Sequence, residues 1–135
     1  TLCLSKGLGA PVGAILAGNR DAMREARHWK HVFGGAMRQS GIIAAGGLYA
    51  LRHHIERLAD DHANAARLAD GLARIPGVRL DPAPETNLVF VNIENTGLSG
   101  DEAQARLMAH GVRCSGGGKR LRFVTHLDVS RADID

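Results

Sequence analysis

Leu4-Ser5-Lys6-Gly7-Leu8-Gly9-Ala10-Pro11-Val12-Gly13 sets a lysine between two short apolar runs, with three glycines and a proline turning the backbone around it. An amine that acts as a nucleophile must be partly deprotonated, although its reference pKa is about 10.4. Burial or a neighbouring cation lowers that value enough for imine chemistry with a carbonyl. Small neighbours leave room for a bulky group against the backbone. The same stretch would also describe a solvated lysine beside a hairpin turn, because a lone Ser-Lys-Gly has little specificity.

Outward from this lysine, residues 2–5 and 14–17 are apolar and bounded by glycine, which predicts two short strands with Lys6 opening their link. From Arg20 to about Val32, Ala22, Met23, Ala26 and Trp29 recur at helical spacing behind Asn19, a suitable N-cap, and Gly34-Gly35 ends the run. Ser40 is the expected cap of a second helix through Ile42, Ala45, Leu48, Leu51, Ile55 and Leu58. A third carries Ala65, Leu68, Ala69, Leu72 and Ile75 on one face and stops at Pro76-Gly77. Strands are expected at residues 78–80, 88–93, 112–114 and 121–124, with a helix from about Gly100 to His110 and a flexible Ser115-Gly116-Gly117-Gly118 loop. This order predicts an α/β layer with helices on one face of a sheet, and a domain boundary that separates residues 1–76 from 77–135.

The 135 residues are 44% hydrophobic and 23% charged, ordinary globular usage. No apolar run approaches the roughly 20 residues that span a bilayer, and no charged-then-apolar leader opens the chain. Seventeen Lys and Arg against 14 Asp and Glu are dispersed without a basic block, and aromatics are 4%, which argues against a nucleic-acid partner. Cys3 and Cys114 are far apart with no CxxC, which favours reduced thiols in the cytoplasm. Thr1 starts directly on an apolar run, and Arg131-Ala132-Asp133-Ile134-Asp135 stops where a helix has just begun after Ser130; both ends are expected to cut through elements.

Two arginines stand where an anion could be met. Arg38 follows a glycine pair and precedes a helix start, where backbone donors and a guanidinium converge, although such a residue also serves as a solvated or structural cation. Arg122, in Leu121-Arg122-Phe123-Val124, alternates to the face opposite Leu121 and Phe123. Its planar fork suits an amino-acid carboxylate; the other reading is an edge-strand cation facing water. His126 either supports that site or is a buried histidine bonded to Asp128. His53, His54, Glu56 and His62 lack the HExxH spacing of a metal site, and Gly118-Lys119 is not a Walker loop, since Arg120 replaces the required Ser or Thr.

The Leu4 to Gly13 run resembles the low-specificity L-threonine aldolases, together with Trp29-Lys30-His31-Val32-Phe33-Gly34-Gly35-Ala36-Met37-Arg38-Gln39-Ser40-Gly41, Glu56-Arg57-Leu58-Ala59-Asp60-Asp61-His62-Ala63-Asn64-Ala65, Thr86-Asn87-Leu88-Val89-Phe90 and Leu121-Arg122-Phe123-Val124-Thr125-His126-Leu127-Asp128-Val129-Ser130-Arg131. The likeness covers nearly the whole chain. It implies the aspartate-aminotransferase-like fold (fold type I), here the later part of the large domain followed by a small C-terminal α/β domain, from roughly the second half of a longer subunit. It implies pyridoxal 5′-phosphate (PLP) bound covalently at Lys6, Arg38 on the cofactor phosphate across a subunit interface, and Arg122 on the substrate carboxylate. His31 departs from the pattern, since relatives carry lysine there, and Lys30 is an alternative source of that cation. The implied reaction is cleavage of L-threonine, L-allo-threonine and related β-hydroxy amino acids to glycine and an aldehyde, in a cytoplasmic dimer or tetramer whose sites are shared between subunits, with no metal among these residues. The fragment alone is expected to be inactive. The rival readings are another fold-type I lyase or aminotransferase, and a non-catalytic association module.

Overall fold

A computed structural model describes residues 1–135, which divide into two compact units, Thr1–Leu58 and Ala59–Asp135. In the first, β1 (Leu2–Cys3) pairs antiparallel with β2 (Ala14–Ile15), Leu2 opposite Ile15 and Cys3 opposite Ala14. Each strand is shorter than the sequence predicts, because the chain turns at once. The Leu4 N–H donates to the Gly13 carbonyl at 3.0 Å and the Ala10 N–H to the Leu4 carbonyl at 2.9 Å. Leu4, Leu8 and Ala10 bury against Ala50, Leu51 and Leu58.

Helix α1 (Arg20–Val32) begins as expected, with the Asn19 side chain accepting from the Ala22 N–H at 2.9 Å. That satisfies one of the orphan donors of the first turn, a contribution of about 1 kcal/mol. Helix α2 (Gly41–His53) departs from expectation at both ends. Ser40 makes no side-chain cap: its own φ of −61° and ψ of −13° are helical, and it offers only its carbonyl, to Ala44. At the other end α2 stops at His53 rather than continuing to Leu58, where α3 (Leu58–Leu72) begins. The His54 ring donates through Nδ1 to the Leu8 carbonyl at 2.6 Å, and the Leu58 N–H bonds Ile55, so the intervening residues form a turn. A tertiary hydrogen bond thus ends a helix that local periodicity would continue.

The second unit places most of α3 against a four-stranded antiparallel sheet. Its strands are β3 (Arg79–Leu80), β4 (Leu88–Asn92), β5 (Ser115–Gly117) and β6 (Arg120–Val124), in the order β3-β4-β6-β5. Helix α4 (Gly100–Ala109) connects β4 to β5, and α5 (Arg131–Ile134) follows β6. Alternation sends Val89, Val91, Leu121 and Phe123 inward, where they bury with Ile93, Ala65 and Ala69 of α3 and Ala103 of α4. Burial of each such side chain contributes roughly 1.5–3 kcal/mol, and the alanines let the helices approach closely. Ser99 and Glu102 form a capping box on α4, and the Ser99 backbone N–H and hydroxyl hold the Glu102 carboxyl below its usual range. Ser130 and Asp133 repeat the device on α5. The residue 76/77 boundary read from sequence falls inside this unit, at the turn after α3, and Ile75 belongs to that turn rather than to the helix.

The main correction concerns the last hairpin. Residues 112–114 form no strand, because the Val112 N–H closes the end of α4 on the Leu107 carbonyl. The glycine tract expected to be a loop supplies β5 instead, with Gly116 opposite Leu121. A Cβ on Gly116, whose φ is +152°, would stand 2.2 Å from the Arg120 carbonyl oxygen. This strand therefore requires glycine where propensity disfavours it. Gly116→Ala is expected to destabilise the protein by about 1–3 kcal/mol, seen as a lower urea midpoint with an unchanged slope; an unchanged midpoint would show that the hairpin tolerates the side chain.

Candidate active site

Lys6 lies on the outside of the turn between β1 and β2. Leu4 and Leu8 are buried on either side of it, and the Gly9 N–H donates to the Lys6 carbonyl at 2.7 Å. Two anchored leucines thus hold the intervening lysine at the surface. Gly9 has φ +67°, a conformation that costs a non-glycine residue about 1–2 kcal/mol. At Gly7 an added Cβ would come 3.1 Å from the Leu58 side chain, so the turn is also packed from below.

Arg38 sits in the exposed segment between α1 and α2, just before Gln39, a non-glycine residue with φ +52°. With Arg27, Lys30, His31 and Ser40 it lines a cavity of about 740 Å³ that has no Asp or Glu in its wall. The His31 ring bonds through Nδ1 to the Arg27 carbonyl at 2.8 Å, which fixes the ring and leaves Nε2 as its other polar atom. Lys30 and His31 both line this space, so Lys30 adds a further side-chain cation beside the two arginines. A donor set of guanidinium, ammonium and hydroxyl without a competing carboxylate fits a phosphate dianion. Lys6 is not among the residues lining this cavity. Arg27 was not singled out from sequence; its i, i+3 and i, i+4 relation to Lys30 and His31 on one helix was the available signal.

Arg122 belongs to the second unit. It projects from the exposed face of β6, between exposed Arg120 and Val124, as alternation predicts. Arg120 is engaged: its guanidinium lies 4.3 Å from the centre of the Phe90 ring and Nη2 donates to the Asp81 carbonyl at 2.8 Å. Arg122 has no such internal partner. Both arginines, with Phe90, Ser115, Gly116 and Gly117, line a cavity of about 360 Å³. Nearby in sequence, the His126 ring is partly exposed and stands 3.5 Å from the Asp128 carboxylate. The His53 and Tyr49 ring centres lie 4.4 Å apart with the planes tilted by 39°, and His54 is held by the Leu8 carbonyl.

Comparison with known proteins bears on these placements. Residues 1–96 match the family model described as beta-eliminating lyase. The low-specificity L-threonine aldolase of Escherichia coli O157:H7 is 46% identical over 99% of this chain and 39% of its own length. The low-specificity L-threonine aldolase 1 of Arabidopsis thaliana is 35% identical over 98% of this chain and 38% of its own. A solved structure from Listeria monocytogenes EGD-E, provisionally described as an L-allo-threonine aldolase, superposes with a TM-score of 0.76 at 28% identity, over 98% of this chain and 39% of that one. The chain thus spans about two-fifths of the length of these relatives.

The two thiols differ in a way that reports on the lysine turn. Cys3 Sγ lies 3.5 Å from the Ser5 hydroxyl, and hydrogen bonds from the Ser5 side chain and backbone, with a smaller contribution from the Lys6 charge, hold its pKa below the ordinary thiol value. Burial pushes Cys114 up. Because the thiolate is the reacting form, iodoacetamide near neutral pH is expected to label Cys3 several times faster than Cys114, followed by peptide mass spectrometry. Equal rates would show that Ser5 does not stabilise the thiolate.

Proposed function

Because the chain belongs to the beta-eliminating lyase family, we propose that its full-length subunit is a PLP-dependent aldolase that cleaves L-threonine, L-allo-threonine and related β-hydroxy amino acids. The products are glycine and an aldehyde. PLP is the cofactor of this family, and the fold is fold type I. Two features of the chain fit such a cofactor: an outward lysine on a glycine-rich turn, and a cationic cavity without acids suited to the phosphate.

The cofactor, when bound, supplies a conjugated ring that withdraws electrons from the substrate α-carbon. Lys6 would be the residue that holds it covalently. Arg38, with Arg27 and Lys30 lining the same cavity, would neutralise its phosphate. Arg122 receives both oxygens of the substrate carboxylate through its fork and so fixes the orientation of the Cα–Cβ bond to be broken. The observation that carries this reading is that Arg122 is left without an internal partner while Arg120, two residues away, is bound to Asp81 and Phe90.

A second copy of the chain is the partner we infer at Arg38. Phe33 is 81% exposed, Met37 59% and Ile42 81%, an apolar surround for a guanidinium that suits burial between subunits. A homodimer or homotetramer with shared sites follows. No helix is long and apolar enough to cross a membrane. Two free cysteines favour the cytoplasm, and the dispersed charge favours no nucleic-acid partner.

A second reading keeps the fold and changes the reaction, since the matching family is described by β-elimination. Release of glycine and acetaldehyde from threonine, assayed beside elimination and amino transfer to a keto acid, separates the two. In the full-length protein, borohydride reduction should label Lys6, and Lys6→Ala should lower turnover by on the order of 10³-fold. Arg38→Ala should weaken cofactor affinity by about 10–100-fold, read by titrating cofactor absorbance. A label on another lysine would overturn the assignment. The 135-residue chain alone should show no turnover.

A further inference from the structure

Arg120 and Arg122 occupy the same face of β6, roughly 7 Å apart as residues i and i+2, and both line the cavity beside Phe90 and Ser115. Two like charges at one small cavity would ordinarily attract an anion jointly. Here they are treated differently. Phe90 lies directly opposite Arg122 across the β4–β6 pair, yet it is Arg120 that stacks on its ring, at 4.3 Å. Asp81 completes the hold: its carbonyl accepts from Arg120 Nη2 at 2.8 Å, its carboxylate lies 4.0 Å from Arg120 Nε, and its N–H donates to the Phe90 carbonyl at 2.9 Å. Arg120 is thereby engaged by one hydrogen bond, an aromatic face and a carboxylate, although its side chain stays half-exposed. Arg122 is not so engaged.

We propose that Asp81 and Phe90 hold Arg120 in place so that the cavity presents one unclaimed carboxylate socket, at Arg122, and that this selects β-hydroxy amino acids with a single carboxylate over β-hydroxy dicarboxylates. The inference rests on the reading of Arg122 as the residue that takes the substrate carboxylate. Were Arg120 released, a second fork would stand beside the first, positioned to meet the side-chain carboxylate of β-hydroxyaspartate. Arg120 does not touch the monocarboxylate substrate; Asp81 and Phe90 act through it and are positioning residues.

The test uses the full-length holoenzyme and compares kcat/KM for L-threonine and β-hydroxyaspartate. Asp81→Asn with Phe90→Leu should raise the β-hydroxyaspartate to threonine ratio about tenfold, and adding Arg120→Gln should abolish the gain. A general packing defect would instead lower both substrates alike and would not depend on Arg120. A ratio unchanged within about twofold, in a variant that keeps the cofactor absorbance, overturns the proposal. Should the double variant fail to fold, Phe90→Leu alone removes the ring on which the Arg120 guanidinium rests and should still raise the ratio about threefold; a flat ratio there overturns the selectivity. Arg122→Gln separates the two levels of inference: an unchanged threonine KM defeats the carboxylate reading itself, whereas a raised KM beside a flat ratio defeats only the selectivity.

Discussion

The hydrogen bond from the Leu4 N–H to the Gly13 carbonyl closes the loop that carries Lys6, and burial of Leu4 and Leu8 turns that loop into a rigid mount. A lysine side chain has many rotamers, so how narrowly its amine is placed depends on how firmly its backbone is held. The glycines around it serve this end by allowing a positive φ at Gly9 and a close approach at Gly7. The His54 ring, by bonding the Leu8 carbonyl, joins the end of α2 to the same mount. The first unit is thus organised around the turn, and its helices are otherwise lightly buried: α1 has no fully buried residue.

The second unit solves a different problem, presenting a cation on a sheet without letting the protein consume it. Strict alternation on β6 separates Leu121 and Phe123 from the arginines, and the core formed with Ala65, Ala69 and Ala103 fixes which face is which. A one-residue slip in register would bury both guanidiniums. On the β5 side Gly116 lies opposite Leu121, where a Cβ would clash with the Arg120 carbonyl. Stability and the direction of Arg122 are therefore coupled through register: the apolar contacts that hold the sheet together also decide that Arg122 faces outward.

Much of this was legible in the residue pattern. Asn19 as the cap of α1, the α4 segment between β4 and the last hairpin, and the outward direction of Arg122 follow from local periodicity and capping chemistry. The errors have one cause. Ser40 looked like a cap but adopted helical dihedrals itself, α2 stopped short at a bond to a residue 46 positions away, and a glycine tract paired as a strand. Each outcome was decided by a partner remote in sequence, which no local window contains.

The sequence by itself determined the family resemblance, the lysine turn and the alternation that sets arginine against core, because these are written in short-range spacing. Only the tertiary structure decided which arginine is open. Arg120 and Arg122 are indistinguishable by type and by face, and what separates them is an aspartate 39 residues earlier in the chain, brought within hydrogen-bond distance of one guanidinium by the pairing of β3, β4 and β6.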